Sequence, residues 1–274
     1  MIKIKIINGG EPQYNDASPL CLAVSDDMNR MDADAAERLE ISPADLMEKA
    51  SRAVFDYINK KLNTAYTSGI TVLCGTGNNG GDGYALSRMF GETQRNVTVL
   101  NVFGNPPKSG AALLHFNRLN HLIDSNNSNN SNNSANSAKT SITNKAKNKN
   151  NIKIFNCPDL SDENLQEIFF ESDIIIDAVF GTGFKGGLDG EARRVLKLAN
   201  SAPDCVKLSV DVPTGTNCDG GSADINSFKA DYTLTFEFVK QGLAAYPAAG
   251  YAGDIVVLPI GFVKETRDIL LNKP

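Results

Sequence analysis

Three glycine-rich segments hold most of the side chains that could do chemistry. The first is Gly75-Thr76-Gly77-Asn78-Asn79-Gly80-Gly81-Asp82-Gly83. Its opening fits G-x-G-x-x-G between a strand and a helix, a spacing that brings backbone N–H groups close to a phosphate. Five glycines beside two Asn and an Asp make a plain turn a poor account of it. The second runs from Asp177 through Gly181-Thr182-Gly183-Phe184-Lys185-Gly186-Gly187. Lys185 suits a phosphate or ribose oxygen. Asp177, after three consecutive Ile residues, either turns a carboxylate toward a ligand or serves as a cap or structural partner. The third, Ser209 to Gly220, contains Asp211-Val212-Pro213-Thr214-Gly215, where Asp211 and Thr214 can present oxygen. Asp219-Gly220-Gly221 reads as an ordinary turn.

These groups are carboxylates, amides, hydroxyls and one lysine. No G-x-S-x-G elbow or Ser-His-Asp arrangement occurs. His115 and His121 miss the i, i+4 spacing of a metal pair, and a solvated helix surface is expected for both. The five cysteines, Cys21, Cys74, Cys157, Cys205 and Cys218, form no C-x-x-C pair, which argues against a zinc site or a disulfide framework. Cys74 reads as a small packed hydrophobe. A hydride-transfer dehydrogenase needs an acidic residue for the ribose at the end of its second strand. Leu100-Asn101-Val102-Phe103-Gly104 has none.

The elements that must position these loops follow from periodicity. A start of alternating apolar and basic residues predicts a strand. Ser25-Asp26-Asp27 opens one helix and Ser42-Pro43 a second, striped by Leu46, Met47, Ala50, Val54, Tyr57 and Ile58. Strands are predicted over 70–74, 97–103, 153–156, 174–180, 206–210, 232–236 and 255–258. Helices are predicted over 83–90, 111–123, 160–170 and 191–200. The alternation implies an α/β fold with a mostly parallel sheet of seven or eight strands and helices on both faces. Each glycine loop then lies at the carboxyl end of a strand, where such sheets bind ligands.

Residues 125–151 are almost wholly Asn, Ser and Lys. Such a tract is expected to be a disordered surface insertion that interrupts a single domain spanning 1–274. An RNA-binding arm or a phase-separating tract is the weaker alternative. The formal net charge of −5 argues against a general nucleic-acid binder. No apolar run reaches the ~18 residues of a membrane helix, and the start lacks a signal-peptide core, so a cytoplasmic protein is expected.

Gly75 to Tyr84, Asp177 to Gly186 and Val210 to Gly215 together closely resemble the NAD(P)H-hydrate epimerase family, also called the YjeF N-terminal domain. Ile41 to Ala50 is similar to that family's N-terminal helix. Thr235-Phe236 with Lys240 to Leu243, and Gly253 to Gly261, are similar to its C-terminal end. The likeness covers about residues 22–262 apart from the insertion. It implies a Rossmann-like three-layer α/β/α sandwich, a homodimer, a bound potassium ion (K+), and as substrate NADHX or NADPHX, the C6-hydrated reduced cofactors. Substrate contacts are implied for Asn78, Asn79, Gly80, Gly81, Asp82, for Gly181, Thr182, Gly183, Phe184, Lys185, Gly186, Gly187, and for Asp211. Potassium ligands are implied for Asn79, Asp177 and Thr214, where the family usually has Ser in place of Thr214.

Many bacterial relatives fuse this domain to a dehydratase. This chain is expected to be the epimerase alone, or a fragment, acting with a separate NAD(P)HX dehydratase. Epimerisation at C6 needs an acid for the departing hydroxyl and a base for incoming water, and Asp177 is the candidate for both. The rival is a non-catalytic nucleotide-binding or scaffold module of the same fold.

Overall fold

The computed structural model describes residues 3–8, 11–13, 22–61, 69–131, 151–263, 265, 266 and 268. The Asn/Ser/Lys tract lies outside the described residues from 132 to 150. Before it, the helix expected to stop at Ile123 continues to Ser131, because adding residues to an existing helix is easier than starting one.

The strands are β1 (Ile4–Asn8), β2 (Glu11–Gln13), β3 (Leu22–Ala23), β4 (Gly69–Cys74), β5 (Asn96–Asn101), β6 (Ile152–Asn156), β7 (Ile174–Ala178), β8 (Val206–Val210), β9 (Tyr232–Phe236), β10 (Val239–Lys240) and β11 (Asp254–Leu258). The α-helices are α1 (Ser25–Leu39), α2 (Pro43–Lys61), α3 (Asn78–Glu92), α4 (Gly110–Ser131), α5 (Asp162–Phe170) and α6 (Gly190–Asn200). Nine strands form one sheet in the order β2-β1-β11-β9-β8-β7-β4-β5-β6, parallel except for the β1–β2 pair. β3 and β10 pair separately.

Strand alternation sorts the core into two faces. Val72, Cys74, Ile174, Ile176 and Ala178 pack with α1, α2, α3 and α4. Leu73, Leu100 and Ile175 pack with α5 and α6 through Leu165, Phe169, Val195 and Leu196. Full burial of each such Val, Leu, Ile or Phe side chain stabilises by about 1.5–3 kcal/mol. The three-layer sandwich expected from the sequence is therefore present.

α2 starts as its residues predict. Ser42 Oγ accepts the Asp45 N–H at 3.1 Å and donates to Asp45 Oδ2 at 2.7 Å, with Pro43 in the first turn. α3 differs from expectation. It begins at Asn78, so most of the first glycine segment is helix and not cradle. Gly in a helix costs about 1 kcal/mol relative to Ala, and here close packing offsets that cost. A Cβ on Gly80 would stand 2.0 Å from the Gly75 carbonyl oxygen, and one on Gly81 would stand 2.5 Å from Met47 Sδ.

His115 corrects another expectation. It is buried, with Nε2 3.0 Å from the Ala44 carbonyl oxygen and Nδ1 3.6 Å from Glu48 Oε2. Its burial lowers the imidazole pKa. It helps join α2 to α4, whereas His121 is exposed as expected.

Candidate functional site

From β4 the chain moves outward through β5 and β6, and from β7 it moves the other way through β8 and β9. The loops after β4 and β7 therefore diverge, leaving a crevice at this reversal of strand order. A cavity of about 480 Å³ occupies it. Gly77, Asn78 and Asn79 reach it from the first loop, Val179 to Phe184 from the second, and Asp211 from the third. Met28 and Ala36 of α1, Leu46, Met47 and Ala50 of α2, Phe236 and Ile260 supply an apolar wall.

Hydrogen bonds lock the three loops together. Asn79 Nδ2 donates to the Phe180 carbonyl at 3.0 Å. The Phe180 N–H donates to Thr214 Oγ1 at 3.0 Å, and that hydroxyl donates to Asp177 Oδ1 at 2.6 Å. The third loop is also fastened to α1, where Asp219 accepts Ser25 N–H at 2.6 Å and Ser25 Oγ at 2.7 Å.

Asp177 does not reach the cavity, which corrects its expected role as the acid–base group. Strand alternation turns its side chain to the same face as Ile175, opposite Ile176 and Ala178. Its carboxylate is fully buried and also accepts Thr214 N–H at 2.8 Å, Ser209 Oγ at 3.2 Å and Val179 N–H at 3.2 Å. Burial raises its pKa to about 6, against the lowering effect of these bonds. No lysine, arginine or histidine pairs with it among the described residues. Asn79 Oδ1, also buried, has no hydrogen-bond partner. This orphan amide oxygen is linked through Phe180 and Thr214 to a carboxylate with no cationic side chain, and oxygen donors of this kind suit a hard cation. No cluster of three His, Cys, Asp or Glu side chains able to hold a metal occurs among the described residues.

The other expected residues divide. Asn78, Asn79, Asp82, Gly181, Thr182, Gly183, Phe184 and Asp211 all line the cavity. Gly80 and Gly81 lie inside α3 and let it dock. Lys185, Gly186 and Gly187 are exposed beyond the cavity wall. Thr214 is buried below the floor with Asp177.

Two charged residues of the cavity escape a loop-based search. Asp32 lies four residues after Met28 and four before Ala36, so all three share one face of α1. That spacing was the available signal. Lys240 is buried, with Nζ 2.6 Å from Asp211 Oδ1 and 3.0 Å from both Thr235 Oγ1 and the Phe236 carbonyl. Asp211 has a left-handed backbone, φ 65°, uncommon for a non-glycine residue and held here by the surrounding bonds.

The strand order and the crevice define an α/β domain built to bind a ligand across strand-end loops. The chain belongs to the family described as YjeF-related protein N-terminus, whose model matches residues 43–242. It is 33% identical over 212 residues to an NAD(P)H-hydrate epimerase of Limosilactobacillus fermentum, a match covering 77% of this chain and 83% of that protein. It is 32% identical over 232 residues to a bifunctional NAD(P)H-hydrate repair enzyme of Pyrobaculum aerophilum, covering 85% of this chain and 40% of that one. The chain thus spans about two fifths of the length of the bifunctional relatives it matches. A yeast protein of known crystal structure shares the fold, with a TM-score of 0.65 at 18% identity, over 93% of this chain and 95% of that one.

Proposed function

We propose that this protein interconverts the R and S forms of C6-hydrated NADH and NADPH, an isomerase of cofactor repair. The observation that carries the reading is one cavity at the sheet's reversal point, where Asn78, Asn79, Asp82, Gly181 to Phe184 and Asp211 converge opposite an apolar wall. Family membership, with relatives named for this epimerisation, supports it. The wall suits a dihydropyridine ring, and N–H groups at the start of α3 suit phosphate.

The hydrate is a hemiaminal with its hydroxyl on C6 beside ring N1. Its epimerisation breaks the C6–O bond, forms N1=C6 with the nitrogen lone pair, and adds water to the other face. One proton must be given and another taken. Asn79, Asp177 and Thr214 would hold K+, whose charge would balance buried Asp177 and help fix the loops. Asp177 is then a positioning residue.

Under this reading the protein works in the cytoplasm as a homodimer, alongside a separate NAD(P)HX dehydratase. The bifunctional relatives support a link between two repair steps. No helix among the described residues is long and apolar enough to cross a membrane. Chiral chromatography of (R)-NADHX with and without the protein, in potassium and then in sodium, tests the activity. Accelerated approach to the R/S mixture, faster in potassium, is expected. Binding without acceleration would establish the scaffold alternative.

A further inference from the structure

We propose that epimerisation here is a two-carboxyl reaction in which Asp32 of α1 and Asp82 of α3 exchange the roles of acid and base. The proposal rests on the epimerase reading above. Four charged side chains line the cavity: Asp32, Asp82, Asp211 and Lys240. The ammonium of Lys240 has three hydrogens and three partners, Asp211, Thr235 Oγ1 and the Phe236 carbonyl. Lys240 therefore pairs with Asp211 and has no donor left over. Neither Asp32 nor Asp82 forms an ion pair among the described residues.

The two carboxyls come from different elements. Asp32 belongs to the α1 wall with Met28 and Ala36, and Asp82 to the helix rising from the strand-end loop. The proposal places the ring between them, with one carboxyl at each face. Protein crowding on the cavity side, then the charge of Asp211, lifts Asp32 to about 6, with Lys240 opposing. Burial, then Asp211 and Asp32, lifts Asp82 well above the ordinary range. Near neutrality such a pair supplies one protonated and one ionised carboxyl, as two like groups sharing a site do.

The protonated carboxyl gives its proton to the C6 oxygen. The C6–O bond breaks, its electron pair leaves with the new water molecule, and the N1 lone pair forms N1=C6. A second water adds to C6 from the other side, and the π pair returns to N1. That water's proton passes to the ionised carboxyl. One water leaves and one enters, and a proton has moved from one Asp to the other. The opposite epimer starts from the exchanged protonation state.

A one-sided variant distinguishes this scheme. Without one carboxyl, the ring can still lose and regain water on the remaining side, so oxygen exchanges without inversion. Asp32→Asn and Asp82→Asn are each given (R)-NADHX and (S)-NADHX separately in ¹⁸O-water with potassium. Label is read by mass spectrometry and chirality by chromatography, against a protein-free control. Epimerisation should fall about 100-fold or more in each variant. Label uptake should persist into one epimer, a different one for each variant.

The charged groups facing Asp32 are Asp82, Asp211 and Lys240, since α2 and Gly181 to Phe184 bring none to the cavity. Wild-type kcat/KM should fall as the pH drops through about 6, where Asp32 gains its proton, and Asp32→Asn should lack that step. Thermal melting and Asp32→Glu control for folding, the latter regaining part of the rate. Epimerisation within about 3-fold of wild type in a folded Asp32→Asn, or equal loss of label uptake from both epimers in both variants, would overturn the proposal. Inactivity of the wild type toward both hydrates would instead overturn the functional reading.

Discussion

Asn79 and Thr214 hold Phe180 from two loops: the Asn79 amide donates to its carbonyl and the Thr214 hydroxyl accepts its N–H, both at 3.0 Å. The second glycine loop is thus fixed by its main chain. The Phe180 ring stacks on Phe184 at 5.2 Å between centroids, so the loop that lines the cavity is ordered from both its backbone and its side chains.

Thr214→Ser keeps the hydroxyl and should stay within about 0.5 kcal/mol of wild type in urea unfolding. Thr214→Ala leaves the Phe180 N–H without its acceptor and Asp177 without its shortest bond. Removing such a buried partner costs about 1–3 kcal/mol. Equal stability of the two variants would contradict the role given to the hydroxyl.

Potassium should stabilise the folded protein. A ligand that binds only the native state at a hundredfold excess over its Kd adds about 2.7 kcal/mol. Differential scanning fluorimetry should show a higher Tm in potassium than in sodium, and Asn79→Ala should abolish the difference. A shift that survives in the variant would place the ion elsewhere.

Lys240→Met leaves Asp211 without its cation beside Asp32 and Asp82. Breaking a buried ion pair from one side costs about 3–5 kcal/mol. The double variant with Asp211→Asn should lose less than the two single losses added together, and denaturant unfolding of all four proteins measures that coupling.

Asp32 should limit stability above neutrality. Its folded pKa of about 6 exceeds the ordinary 3.8. Stability linked to it is therefore fully present below about pH 4 and lost as the pH rises through about 6. Asp32→Asn should melt above wild type at pH 8, with the gap closing toward pH 4. A gap independent of pH would show that the substitution acts by another route.

Gly80→Ala puts a Cβ 2.0 Å from the Gly75 carbonyl oxygen, whereas a Cβ on Gly183 meets nothing within 4 Å. The first should destabilise by about 3 kcal/mol or more, the second by no more than about 0.5 kcal/mol. Chemical denaturation of both compares them directly.

The central parallel sheet was legible because β4 and β7 are short, mostly apolar runs, β8 alternates apolar and polar residues, and each leads within a few residues into a Gly- or Pro-containing loop. The reversal of strand order was not, since it depends on pairing between β4 and β7, whose partners such as Ile70 and Ile174 are 104 residues apart. The start of α3 was misplaced because glycine propensity hides a helix that close packing makes favourable. Asp177 was assigned to the cavity from its nearness to a strand end, yet a period of two turned it to the other face. Asp32 was not legible because it lies on a helix outside the glycine loops, and the face it shares with Met28 and Ala36 becomes a cavity wall only after folding.

The length of α4 has a practical corollary. Ala111, at its start, lines the cavity, and the helix ends at Ser131. At about 1.5 Å per residue, those positions lie about 30 Å apart. The end of α4 at Ser131 thus stands a full helix away from the ligand. A fluorophore or affinity tag placed at that end of α4 should report on the molecule while leaving turnover untouched.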